Sequence, residues 1–157
     1  MSGDDYKTMT TADIRGDFLS FFASKGCALY PSSPLIPEDP SLLLTNAGMN
    51  QFKEYYQGLK TMREIGACSC QKCLRTNDIE NIGDSSHLSF FEMLGNWSLG
   101  DYFKKEQIGW MWTFLTEVVG LDPNRLYVTC FIGAPEYNIA KDTEAAELWR
   151  QKFAEKG

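Results

Sequence analysis

Two runs of strand length, Ala67–Arg75 and Leu88–Leu94, stand on either side of a polar stretch, and they constrain this chain more than any other feature. They read as an antiparallel pair. The polar connection, Thr76–His87, is about twelve residues long, more than a hairpin turn needs, and loops of that length are where function concentrates. A strand pair of this kind must bury at least one face, so the rest of the chain is read for elements that can cover it.

Those elements are legible. Thr10 or Thr11 can cap a helix in which Ile14, Phe18, Phe21 and Phe22 recur at helical spacing, and Gly26 stands at its C-terminal end. Cys27–Tyr30 reads as a short strand halted by Pro31, and Pro34, Pro37 and Pro40 keep the following stretch extended. Ser41–Thr45 reads as a buried strand, Asn46–Gly48 as a turn, and Met49–Gln57 as a short helix closed by Gly58. Further on, Ile108, Met111, Trp112, Leu115 and Val119 form one apolar stripe and predict a helix over Lys104–Val119, stopped by Gly120 and Pro123. Leu126–Ile132 is strongly β-prone. A last helix spans roughly Asp142–Ala154, with Ala145, Leu148, Trp149 and Phe153 on one side. Strand pairs mixed with peripheral helices predict an α+β fold with a mainly antiparallel sheet, and 157 residues without repeat or linker predict a single domain over 1–157.

Composition excludes several function classes. No apolar run reaches the ~18 residues of a spanning helix, and the acidic N-terminus lacks a signal-peptide pattern, so a cytoplasmic protein with no membrane partner is expected. The formal net charge is −6 and the 15 basic residues are scattered, so composition shows no basic stripe for nucleic acid. Five cysteines, an odd number, argue against a disulfide framework. Cys68, Cys70 and Cys73 invite a zinc reading, but the second ligand pair of a structural site is missing, and His87 is the one histidine. Small core residues on a strand, with Cys68, Cys70 and Leu74 sharing a face, are the simpler account, and no metal site is assigned.

Three segments resist explanation by packing: Leu44-Thr-Asn-Ala-Gly-Met-Asn-Gln-Phe52, Cys73-Leu-Arg75-Thr-Asn-Asp78-Ile-Glu80-Asn81, and Phe90-Phe-Glu-Met-Leu-Gly-Asn-Trp-Ser-Leu-Gly-Asp101. An arginine at a strand end can present its planar fork to a phosphate. A carboxylate on the facing strand can hold a metal ion or an amino group, and an aromatic ring beside them gives a base a face to stack on. Arginine, acid and phenylalanine on one ribbon thus make a nucleotide cradle without a glycine-rich loop. The alternative is that Arg75 merely pairs with Asp78 or Glu80 as a surface ion pair. Both stay open on the residues alone.

In this order and spacing the three segments resemble alanyl-tRNA synthetase, from about Thr11 to about Ile132. The carriers are Leu43–Lys53, Cys70–Asn81 and Phe90–Phe103, which match that family's motif 1 region and its full motif 2 ribbon. The resemblance implies the N-terminal part of an incomplete class II synthetase catalytic domain, which activates alanine with ATP and Mg²⁺ and passes it to tRNA(Ala). It implies that Arg75 grips the α-phosphate and that Asp78 orders the ATP and alanine end of the site. It further implies that Phe90 or Phe91 stacks on adenine, that Glu92 sits near the adenine amino group or a metal, and that Met49 lies near the alanine pocket. The family keeps its zinc in its editing part, so the resemblance gives no reason to expect zinc here.

Two departures follow. The family's motif 2 loop usually reads Ala-Arg-His-His-Thr before the two phenylalanines, whereas this chain has Ser85-Ser-His-Leu-Ser89, which leaves His87 as the candidate for a cationic contact to ATP or the tRNA end, the alternative being a solvated loop residue. The alanine-binding strands and motif 3 lie beyond the matching blocks. The expectation is therefore a synthetase segment that does not charge tRNA unaided and regains activity with a complementing protein. The alternatives are a stand-alone paralogue that binds ATP, adenylate or a partner protein, and a remnant that forms a homodimer through a sheet edge.

Overall fold

The computed structural model describes residues 8–76 and 79–155. They fall into two compact units, Thr11–Asp101 and the residues from Tyr102 onwards together with those up to Thr10.

In the first unit, helix α1 (Thr11–Ser24) ends as its sequence predicts. The Gly26 N–H donates to the Ala23 carbonyl and the Cys27 N–H to that of Phe22, while Gly26 takes φ +91°. That double bond with a left-handed glycine is the Schellman closure, which satisfies the carbonyls a helix leaves unpaired. Phe18 and Phe22 are buried, their rings 4.6 Å apart.

The sheet has three strands in the order β1 (Ala28–Tyr30), β2 (Gly66–Leu74) and β3 (Phe90–Ser98). β1 pairs with β2 in parallel over three residues, and β2 pairs with β3 antiparallel from Gly66↔Ser98 to Leu74↔Phe90. The ribbon expected from sequence is present, with its second strand running on to Ser98. The mixed sheet is mainly antiparallel and, with its helices, α+β.

One face of the sheet packs on α1. The other is covered by a 3-10 turn, Gly48–Phe52, that runs into the single-turn helix α2 (Lys53–Tyr56). Phe52 is fully buried there between Tyr30, at 5.4 Å, and Trp97, at 4.5 Å. Two glycines make room for that indole. A Cβ on Gly48 would stand 2.8 Å from the Trp97 ring, and one on Gly95 would stand 2.3 Å from it. Gln71 is fully buried on the same face and satisfied: its Oε1 accepts from the Ser33 N–H, the Ser33 hydroxyl and Gln51, and its Nε2 donates to Ser33 O and Lys72 O. It ties the extended proline stretch to β2.

Ser41–Thr45 is not a strand. The Asp39 side chain accepts from the Ser41 N–H and hydroxyl, and Leu42 N–H donates to Asp39 O, so a local turn takes the backbone groups a ladder would need. Leu43 is left 82% exposed, and Thr45 alone reaches the sheet, accepting from the Leu74 N–H.

In the second unit, α3 (Lys104–Thr113) continues as a π-helical turn over Phe114–Val118. Phe114 is buried together with Ile108 and Trp112, although the 3.6-residue stripe does not include it, and the wider turn shifts the register of the residues that follow it. Helix α4 (Thr143–Ala154) is capped by Asp142, which accepts from the Ala145 N–H and from Lys104 Nζ at 2.8 Å. Phe153 of α4 meets Trp112 edge-on at 4.9 Å. The predicted strand Leu126–Ile132 pairs with no other strand among the described residues. A strand exists only through its ladder, and here Tyr127 is 94% and Ile132 83% exposed. No helix among the described residues is long and apolar enough to cross a membrane.

Candidate functional site

The antiparallel register decides which side chains can meet, because partners across a ladder project to the same face. Cys73 is paired with Phe91 and Gln71 with Met93, so these four share a face. The ladder runs one step further, since the Arg75 N–H donates to the Ser89 carbonyl at 2.8 Å. Arg75 follows Gln71 and Cys73 by alternation onto that face. Its guanidinium lies over the Phe91 ring, 5.2 Å from the centroid, a cation–π arrangement.

The turn covering this face fixes the arginine from the other side. Arg75 Nε donates to the Asn46 carbonyl at 3.0 Å, and the Asn46 side chain accepts in turn from Asn50 Nδ2 at 3.1 Å. The Gly48 N–H points at the Met93 sulfur, 3.4 Å away. Met49 rides on the same turn and is more than a third exposed. Among the described residues, Arg75 thus bonds to a carbonyl of the first segment; the alternative pairing with Asp78 falls on a residue outside the described ones. All three segments singled out in the sequence come together here.

Glu92 and Phe90 do not join them. They alternate to the opposite face, with Lys72 and Leu74 across the ladder. There Arg15 of α1 donates to Glu92 Oε2 through Nη2, at 2.6 Å, and through Nε, at 3.1 Å. That bond from Arg15 holds the Glu92 carboxyl below its ordinary range. Phe90 is half-exposed. The ladder register thus sets Glu92 and Phe90 on the face opposite Arg75 and Phe91.

The thiols of the ribbon behave as core residues. Cys68 and Cys73 are fully buried, and burial raises the Cys68 pKa to about 11. Burial also raises the Cys70 and Cys73 thiols. Among the described residues, no three acids, cysteines or histidines converge as metal ligands.

In the loop, the His87 ring stands 2.5 Å from Asp84 through Nδ1, and the same carboxylate accepts from the backbone N–H groups of Ser86 and His87. Asp78 lies outside the described residues. Sequence reasoning missed three participants. Asn46 could have been found as part of a polar turn between apolar elements, and Asp84 by its spacing of three from the one histidine. Nothing in the sequence pointed from Arg15 to a strand 77 residues away.

The family model for class II (A) tRNA synthetases matches residues 13–156. The chain belongs to the class II (A) tRNA synthetases. Among similar proteins of this class, the alanine–tRNA ligase of Cytophaga hutchinsonii is 51% identical over 153 residues, which cover 94% of this chain and 17% of that protein. That of Rubrobacter xylanophilus is 54% identical over 144 residues, 91% of this chain and 16% of the other. That of Porphyromonas gingivalis is 50% identical over 153 residues, 94% and 18% respectively. The resemblance to alanyl-tRNA synthetase carried by the three blocks is thus met in the relatives, and this class II chain spans 16–18% of their length.

Proposed function

We propose that the Arg75 face of the β2–β3 ribbon is the nucleotide wall of an alanine-activating site. The observation that carries this reading is the fixed Arg75, held through Nε by Asn46 and seated over Phe91. With Nε spent on the carbonyl, the two terminal amino groups are the fork a phosphate takes. The adenine ring stacks against Phe91, next to the arginine, and Met49 on the covering turn borders the alanine. Asp78 helps to order the ATP, and His87 reaches its outer phosphates from the loop.

In the activation step, an alanine carboxylate oxygen attacks the α-phosphorus of ATP. An acyl–phosphate bond forms, the bond to the β-phosphate oxygen breaks, and pyrophosphate leaves with the electron pair. Negative charge grows on the α-phosphate oxygens as this happens. A preorganised guanidinium at that point stabilises the transition state more than the ground state, and positioning supplies much of the remaining acceleration. Mg²⁺, which the family uses, supplies charge neutralisation on the phosphates. With Glu92 engaged by Arg15 and no ligand cluster among the described residues, no residue of this chain is assigned to it.

Transfer of alanine to tRNA(Ala) completes the proposed reaction. With a net charge of −6, this segment is expected to leave most tRNA phosphate contacts to other parts of a longer protein, and charging to depend on them. The test is calorimetric titration of the 157-residue chain with a non-hydrolysable alanyl-adenylate analogue. Saturable binding that disappears in Arg75→Ala supports the reading. Equal affinity of the two proteins would sink it.

A further inference from the structure

We propose that Asp84 is a positioning residue for this site: it turns the Nδ1 edge of His87 back onto the loop, so that Nε2 is the atom offered to a phosphate. The inference rests on the reading of the β2–β3 loop as the phosphate end of the site.

The carboxylate of Asp84 is used on both oxygens. Oδ1 accepts from the Ser86 N–H at 2.9 Å and the His87 N–H at 2.7 Å, and Oδ2 lies 2.5 Å from the imidazole Nδ1. The His87 backbone N–H first, then that of Ser86 and then the ring, hold the Asp84 carboxyl below its ordinary range. An ionised carboxylate offers acceptors only, so the hydrogen in the 2.5 Å contact belongs to Nδ1. The ring is thereby fixed in both orientation and tautomer, since a flip would break that bond.

The loop end is also tied to the arginine. Ser89, two residues beyond His87, supplies the carbonyl that accepts the Arg75 N–H. Where the resembled family carries an arginine and two histidines in this loop, this chain offers His87 between Ser86 and Leu88. With one ring in place of three cationic groups, its orientation decides whether the loop contributes a phosphate donor at all. A phosphate oxygen is taken at Nε2 by the doubly protonated ring, in which Nδ1 donates to Asp84 and Nε2 to the phosphate. The ligand chemistry is therefore the triphosphate of ATP, or the pyrophosphate released from it.

His87 is the only histidine in the sequence, so its ring nitrogens can be read without ambiguity. Long-range ¹H–¹⁵N spectra of the 157-residue chain are expected to show the Nδ1–H form, and Asp84→Asn is expected to shift the ring towards Nε2–H. Asparagine keeps an oxygen for the two backbone donors, so the loop turn persists while the charge is lost. Addition of MgATP, or of inorganic pyrophosphate with Mg²⁺, should move the Nε2 resonance in the native protein and move it less in the variant. By calorimetry, Asp84→Asn and His87→Gln should each weaken MgATP binding by up to about tenfold, and the double variant no further. A native ring protonated on Nε2 alone would overturn the proposal. So would MgATP affinity that survives Asp84→Asn but falls in Arg75→Ala, an outcome that leaves the phosphate-binding reading standing. Absence of MgATP binding by the native chain, or binding indifferent to all three substitutions, removes both.

Discussion

The two faces of the β2–β3 ribbon carry similar chemistry to different ends. Each has an arginine, but Arg15 donates through two nitrogens to one carboxylate oxygen, whereas Arg75 is held through Nε by a neutral carbonyl and backed by an aromatic ring. On the first face the charges cancel and a helix is fastened to a strand. On the second the positive charge is positioned by a neutral carbonyl and an aromatic face. The composition of the ribbon does not distinguish a structural ion pair from an anion site. The partner does.

The largest effect should come from removing what holds the covering turn on the Arg75 face. Phe52→Ala empties the fully buried space between Tyr30 and Trp97 and should cost about 3–5 kcal/mol in urea unfolding. Gly95→Ala pushes a methyl group into the Trp97 indole from the ribbon side and should cost about 1–3 kcal/mol by the same measurement. Both are expected to loosen adenylate binding together with stability, because Asn46 is carried on the same turn.

Function and stability should separate at Arg75. Loss of a charged donor to phosphate is worth about 1.5–3 kcal/mol, so Arg75→Ala should weaken the adenylate analogue by at least ~10-fold in calorimetry while the urea midpoint moves little. On the opposite face the pattern should invert. Glu92→Gln should leave analogue affinity within about twofold and reduce stability only by the ~0–1 kcal/mol of a solvent-accessible ion pair. Its pH dependence sharpens the contrast. Glu92 has a lowered folded-state pKa, so its contribution is present above the unfolded carboxylate pKa and is lost as pH falls through the folded value. The stability difference between the native protein and Glu92→Gln should accordingly shrink on acidification below about pH 4, as followed by urea unfolding across pH.

The ribbon was readable because both its strands and the polar stretch between them are marked by composition. Its register was not. Had Arg75 faced Leu88, Phe90 and Glu92 would share its face; the ladder instead carries Arg75 to Ser89, which brings Phe91 and Met93 there. A slip of one residue exchanges every side chain between faces, and a loop of uncertain geometry cannot fix that parity. The same limit explains Leu126–Ile132, where β propensity is plain but a strand also needs a partner. At Ser41–Thr45 a side chain, Asp39, outcompeted the ladder. The helix stripe of α3 did not include Phe114, which is buried where the π turn begins. The candidate site was legible as three segments, and its assembly depended on a backbone carbonyl, that of Asn46, which no residue pattern announces.

The most direct test of which face meets the nucleotide is a set of nuclear Overhauser contacts from the adenine protons of the bound alanyl-adenylate analogue. The account predicts contacts to the Phe91 ring, with the ligand's alanyl methyl group touching Met49. Contacts to Phe90 or to side chains of α1 would contradict it.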